Sequence, residues 1–265
     1  MVILDKTDSI LRLWQSGTSA FESTPEEFNK FPISQPVALR GMTKIDVFNE
    51  CRLSNRDFYY IDTGYLGNLG KRKEFHRVVK NNVQHSMPIE VPDDRFNKLV
   101  KQSRKNFYRN KWFKDGSNIL IVTPSEKPCK FYGITRDQWL DKTMDTLSAH
   151  TDRKIIIRDK PPRRERVGSK SIYNQFVDDD IYAVVTYNSI AATEAVAYGI
   201  PAFADAPVNA AKSVCLTDFT KIEDPYYPSR QQVDKWLHWL AYCQYDVNDL
   251  RNGTAYKINE EYNLC

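Results

Sequence analysis

The sequence predicts an α/β protein in two domains, the second a small doubly wound parallel sheet, with a cleft between them. Three observations lead there. Runs rich in β-branched residues, Asn118–Pro124, Lys154–Arg158, Ile181–Val185 and Pro201–Ala204, alternate with helical stretches, the rhythm of a parallel sheet covered on both faces. Val37–Gly41 and Phe58–Asp62 are apolar runs that end in a polar residue beside glycine, like strands discharging into loops. A chain of 265 residues, 41% hydrophobic and 27% charged, has a globular composition.

Taken in order, residues 1–30 read as a helix and a loose connection. Strands at Val37–Gly41 and Phe58–Asp62 flank a helix at Thr43–Cys51. Asp115-Gly116 is a turn and the expected hinge, so the first domain is placed at 1–115 and the second at 116–228. Thr135 opens a helix with apolar positions at Trp139, Leu140, Met144 and Leu147. Ser229 and Gln232 form a capping box for a last helix, whose Val233, Trp236, Leu237 and Leu240 share one face. Residues 229–265 are expected to pack back toward the first domain.

Composition excludes several classes. The mean hydropathy of −0.58 and the lack of a long apolar run argue against a membrane-spanning helix. The N-terminus has no basic segment leading into an apolar one, so no signal peptide is expected. Five scattered cysteines and four dispersed histidines have no zinc spacing; reduced thiols in the cytoplasm are expected. Net charge is only +4, but the segment Lys101–Lys114 carries six cations and four aromatics with no acid. Arg158–Lys170 forms a second basic cluster. Such patches grip polyanions or solvate a surface equally well.

The most informative stretch is Ile181–Ala204. A buried strand leads into the polar turn Thr186-Tyr187-Asn188-Ser189, then a small-residue helix stopped by Gly199, then a strand. Backbone N–H groups at the turn, near Asn188, Ser189 and Ile190, suit a phosphate. Glu194 lies roughly 7.5 Å further along the helix axis, where a carboxylate can accept from ribose hydroxyls.

This polar turn, with Ser189, Glu194-Ala195 and Gly199-Ile200-Pro201 after a buried strand, resembles the donor-binding half of GT-B-type glycosyltransferases. The resemblance implies two Rossmann-like domains, a nucleotide-sugar donor (a UDP-sugar), and no metal or tightly bound cofactor. It makes Asn188, Ser189 and Ile190 phosphate contacts and Glu194 a ribose contact. Ile155–Pro161 is similar to the element that places cations beside the leaving diphosphate, which adds Arg158 and Lys160. Residues 1–115 then hold the acceptor and 116–228 the donor.

Within the acceptor half, Asp62 ends a strand at Tyr60-Ile61-Asp62-Thr63-Gly64 and is the candidate general base; an Asp closing a glycine turn fits equally. His85 and His76 are further candidates, either of which could line the cleft. Asp178-Asp179-Asp180 precedes its strand rather than following it, so it reads as a solvated loop and not as a metal site. The motifs YIDTGYLG, HRVVKNNVQHS and Arg251–Ala255 look like those of small phage-encoded transferases that attach glucose or arabinose to hydroxymethylcytosine in DNA. That resemblance implies double-stranded DNA as partner, a flipped base, and salt-sensitive phosphate contacts from Arg40, Arg77, Lys80, Arg104, Lys105, Arg109 and Lys111. Phage origin would place it in the host cytoplasm. A transferase acting on a surface polysaccharide, and a non-catalytic nucleotide-binding module, remain the alternatives.

Overall fold

The structure is a computed structural model that describes residues 1–42, 44–68, 73–103, 107–159 and 171–264. The chain forms two compact units: residues 1–100 with 238–265, and residues 101–237. Among the described residues no helix is long and apolar enough to cross a membrane.

The first unit begins with β1 (Val2–Ile3), α1 (Ser9–Thr18) and β2 (Phe21–Glu22). Asp8 caps α1 by accepting from the Ile10 and Leu11 amides, and Leu11 and Trp14 turn into the core. Two strands therefore lie in the stretch expected to hold a helix and a loose connection; at two residues each, they are too short to show an alternating pattern. β3 (Val37–Arg40), α2 (Ile45–Ser54) and β4 (Phe58–Thr63) follow, as the apolar runs require. β5 (Phe75–Lys80) is a strand spelled FHRVVK. Its His76 and Arg77 are buried alongside Val78 and Val79, so the candidate His76 and the expected DNA contact Arg77 sit in a core strand. α3 (Asp94–Gln102) closes this part.

The second unit contains β6 (Asn118–Val122), α4 (Glu126–Tyr132), α5 (Arg136–Ser148), β7 (Ile155–Arg158), α6 (Ile172–Asp178), β8 (Ile181–Thr186), α7 (Ala191–Ala197) and β9 (Ala202–Ala204). Its strands are all parallel, in the order β7-β6-β8-β9. On one face Ile119, Ile121, Val185 and Phe203 pack with Trp139, Leu147 and Phe219. On α6 and α7, Tyr173, Phe176 and Tyr198 form a cluster of rings 5.5–5.9 Å apart. β7 is an edge strand with Ile157 45% exposed, not the buried strand its three isoleucines suggest.

Residues 101–115 belong with this unit rather than closing the first. The Arg109 amide donates to Ala197 O and the Phe113 amide to Gly199 O, which straps the segment across the end of α7. Asp180, in a left-handed conformation, accepts the Ser117 and Asn118 amides and starts β6. It is a structural turn. α8 (Arg230–Tyr242) begins with the expected box: the Ser229 amide donates to Gln232 Oε1 at 2.8 Å and the Gln232 amide to Ser229 Oγ at 3.3 Å.

The chain then returns to the first unit as β10 (Gln244–Asp246), α9 (Val247–Arg251) and α10 (Thr254–Glu261). That sheet has the order β10-β5-β4-β3-β1-β2, with β1 to β4 and β10 running one way and β5 against them. Gln244 is the knot. Its Oε1 accepts from the Tyr65 and Leu66 amides at 2.7 and 2.8 Å, and its Nε2 donates to Leu66 O at 3.0 Å. The YIDTGYLG motif thus ends β4 and runs into a loop whose Tyr65 and Leu66 are held by one amide side chain. Gln244→Leu leaves three buried backbone groups unpaired, at about 1–3 kcal/mol each before relaxation. Urea unfolding is expected to show a loss of roughly 3 kcal/mol or more.

Candidate active site

β6 and β8 are neighbours in the second sheet, yet the chain leaves them in opposite directions, toward β7 and β9. At such a reversal open α/β sheets take ligands, beyond the carboxyl ends of the strands. The segments that follow the strands there are Thr123-Pro124-Ser125 after β6, Arg158-Asp159 at the end of β7, and Asn188-Ser189-Ile190 after β8. The turn after β8 is pinned from below. Thr186 Oγ1 donates to Val122 O at 2.7 Å and accepts the Ser189 amide at 3.4 Å.

The row of open amides expected here is partly filled. Ser189 Oγ accepts the Ala191 amide and Ser189 O accepts the Ala192 amide. The Ile190 amide has no hydrogen-bond partner among the described residues, and the Ser189 hydroxyl keeps its own proton to donate. Asn188 is buried, so its backbone position matters more than its side chain. The seat for an anion is narrower than the sequence suggests: one amide, one hydroxyl and the start of a short helix.

Charge completes it. Arg158 donates from Nη1 to Gln175 Oε1 at 2.5 Å, and Gln175 donates in turn to Asp179 at 2.9 Å. Burial pulls the Arg158 pKa down, and Glu194, then Asp179, oppose that shift. The cation and the acid assigned from sequence to neighbouring parts of a donor therefore lie within electrostatic reach. Tyr173 on α6 joins them: burial first, and then Glu194, drives its phenol pKa far up. Its hydroxyl is buried without a hydrogen-bond partner among the described residues. Asp159 is tied up elsewhere, accepting from Thr123 Oγ1 and Arg136 Nη2, both at 2.7 Å. Lys160 lies outside the described residues.

The other expected site residues fare differently. Asp62 is clamped: Oδ1 accepts from Arg40 Nη1 at 3.0 Å and the Thr63 amide at 2.7 Å, Oδ2 from the Tyr60 hydroxyl at 2.6 Å and Arg77 Nη2 at 3.4 Å. Burial raises its pKa, but Arg77 and Arg40 outweigh it and hold the carboxyl at about 2. Such a group is a poor general base, since its lone pairs are committed and its proton affinity is low. His85 is fully buried, with Nδ1 3.0 Å from the Tyr65 hydroxyl. Burial, then Arg77, pushes its pKa down to about 3. It is a core residue, as is His76, lowered to about 4 chiefly by burial.

The cations read as DNA contacts are mostly committed inside the chain. Arg77 is 6% exposed and also donates to Thr63 O at 2.6 Å. Arg40 pairs with Asp62, and Lys80 Nζ donates to Glu260 at 2.9 and 3.1 Å. Arg109 stacks 4.0 Å over the Tyr198 ring and donates to its hydroxyl at 2.6 Å. Lys111 is exposed; Arg104 and Lys105 lie outside the described residues.

The buried histidines set a pH dependence. Their folded pKa values lie below the ordinary 6.5, so the unfolded chain binds more protons and stability falls as pH drops through that window. The Asp62 contribution is present above about pH 4 and is lost as pH falls toward 2, because its folded pKa is the lower one. Urea unfolding is expected to lose on the order of 2–4 kcal/mol between about pH 6.5 and 5 from the two histidines, and His85→Gln should flatten that slope.

No family model matches the chain, and no curated protein sequence matches it. Solved structures do. The beta Kdo 2,4 transferase of Thermosulfurimonas dismutans KpsC superposes with a TM-score of 0.52 at 11% identity, over 90% of this chain and 89% of that one. The beta Kdo 2,7 transferase of the same protein gives 0.50 at 11%, over 97% and 99%. The likeness is one of fold: mixed α/β with two parallel-rich sheets, and the two neighbours share a two-domain, Rossmann-like fold. Both neighbours are named as Kdo transferases and not as DNA-modifying enzymes, so the hydroxymethylcytosine resemblance finds no support in them.

Reading the sequence alone misses Tyr173, Thr123 and Ser125. Ser125 is exposed at the start of α4 and makes no capping bond with its side chain. The polar run Thr123-Pro124-Ser125 directly after a buried strand was the available signal. Tyr173 had none, because its place beside Glu194 depends on how α6 and α7 pack.

Proposed function

We propose that the protein is a glycosyltransferase that moves a sugar from a nucleotide-activated donor to a glycan acceptor. What supports this is the electrostatic coupling of Glu194 to Arg158 and to Tyr173, on a helix that starts with Ser189 and the Ile190 amide just after β8. The fold likeness to two Kdo transferases supports the same reading.

In the transfer, the bond from the anomeric carbon to the donor phosphate breaks and a bond to an acceptor hydroxyl oxygen forms. The acceptor proton leaves to a base, and the nucleotide phosphate departs with the bonding pair. Arg158 offers a planar fork of donors to that growing charge. The Ser189 hydroxyl and the Ile190 amide donate from the other side. Glu194 accepts from the nucleotide ribose, which fixes the donor's register, and Tyr173 supplies one further donor.

A glycan acceptor is favoured over DNA because Arg40, Arg77, Lys80 and Arg109 are bound to groups of their own unit. A UDP-sugar is the first donor to test. The protein is incubated with UDP-, GDP- and CMP-sugars, each with an oligosaccharide panel and with hydroxymethylated DNA, and products are weighed by mass spectrometry. A sugar-mass gain on an oligosaccharide is expected. A gain on hydroxymethylcytosine would move the acceptor to DNA, and neither transfer nor hydrolysis of any donor would remove the transferase reading.

A further inference from the structure

Away from the switch point, the second unit carries a cavity of about 270 Å3 whose wall includes Asn110, Lys111, Trp112, Lys114, Tyr227 and Arg230 and contains no carboxylate. We propose that this cavity is a subsite for a carboxylate-bearing sugar residue of a glycan chain, an inference that rests on the glycan-transferase reading above.

Size, surface and charge each point to that ligand. The volume lies just under the roughly 300–1,000 Å3 of pockets for drug-sized molecules, which suits a single pyranose ring. Trp112 and Tyr227 meet edge to face with centroids 5.4 Å apart, and a half-buried aromatic face suits the C–H side of a sugar. The indole is fixed, since Trp112 Nε1 donates to Pro228 O at 3.1 Å. Lys114 Nζ sits 4.7 Å over the Tyr227 ring, and neither Lys111 nor Lys114 forms an ion pair among the described residues. Arg230 differs: it is held by Asp234 and by the Tyr108 hydroxyl, so it serves as wall rather than as the ligand's counter-ion.

The backbone between the two lysines is held against the end of α7. The Phe113 amide donates to Gly199 O at 2.7 Å, and Gly199 admits the Lys111 carbonyl where a side chain would collide. Val196 and Gly199 form part of the cavity wall, which puts it at the far end of α7 from Ser189. At 1.5 Å per residue the helix separates the two places by roughly 10 Å, as a distal subsite on a polymeric acceptor requires. Nucleic acid fits less well, because the neighbouring Arg109 is already stacked on Tyr198 and no extended row of uncommitted cations flanks the cavity among the described residues.

Trp112 provides a selective probe, because Trp14, Trp139, Trp236 and Trp239 are all at most 7% exposed. Tri-galacturonate, neutral maltotriose and a short DNA duplex are titrated separately, without donor, into the whole protein while tryptophan fluorescence is followed. Tri-galacturonate is expected to give a saturable change that Trp112→Phe removes. The Lys111→Ala/Lys114→Ala double variant should weaken it at least tenfold, and maltotriose should bind at least tenfold more weakly. Equal binding of maltotriose, no effect of the double variant, or tighter binding of the duplex would each overturn the proposal. Since no donor is present, loss of this binding and loss of transfer are separate results. Both lysines are exposed, so the variants are expected to fold.

Discussion

Gly199→Ala is expected to destabilise the second unit by roughly 3 kcal/mol or more, from two separate causes. The residue sits at φ +85°, where an L side chain costs about 1–2 kcal/mol. A Cβ there would also come within 2.1 Å of Lys111 O, which is backbone and cannot swing aside. Gly133 supplies the control, with φ +68° but nothing within 4 Å of a Cβ. Gly133→Ala should therefore cost only the conformational part. Urea unfolding of both variants isolates the collision as the difference between them. Similar losses in the two would mean that the 107–114 strap moves away freely. That outcome would also weaken the case for a held backbone between the two lysines.

Arg158→Ala is expected to lower transfer by about 10²–10³-fold, the usual effect of removing one preorganised donor from a developing anion. UDP binding measured by calorimetry should fall as well, because the nucleotide diphosphate already carries charge before transfer. Arg158→Lys is expected to recover only part of either, since an ammonium keeps the charge but not the planar fork. The substitution sits at the half-buried end of an edge strand, so the urea midpoint should hardly change. Unaltered turnover and unaltered UDP affinity in Arg158→Ala would take the leaving-group role away from this residue.

Much of the second unit is legible in its residues. The strands β6, β8 and β9 are continuous apolar runs, α5 has Thr135 as its cap, and the turn before α7 shows its polar residues and small helix openly. Arg158 and Glu194 could be named because each sits at a fixed offset from a strand or helix end. The first unit resisted for a physical reason. β5 places His76 and Arg77 in the core, where Asp62, Thr63 and Val83 pair with Arg77. A buried cation looks the same in one dimension as a solvated one. β10 is three residues long and exists as a strand because β5 lies beside it.

Local order alone, then, was enough for the alternation of strands and helices, the caps, and the polar turn between β8 and α7, since these depend on neighbours within a few positions. Which charges are free to meet a ligand was settled by packing. Arg40, Arg77, Lys80 and Arg109 are each satisfied by groups distant in sequence, and Asp62 loses its basicity to partners 15 and 22 residues away. Electrostatic pairing acts through space at a few ångströms, and only the folded chain brings those partners within that range.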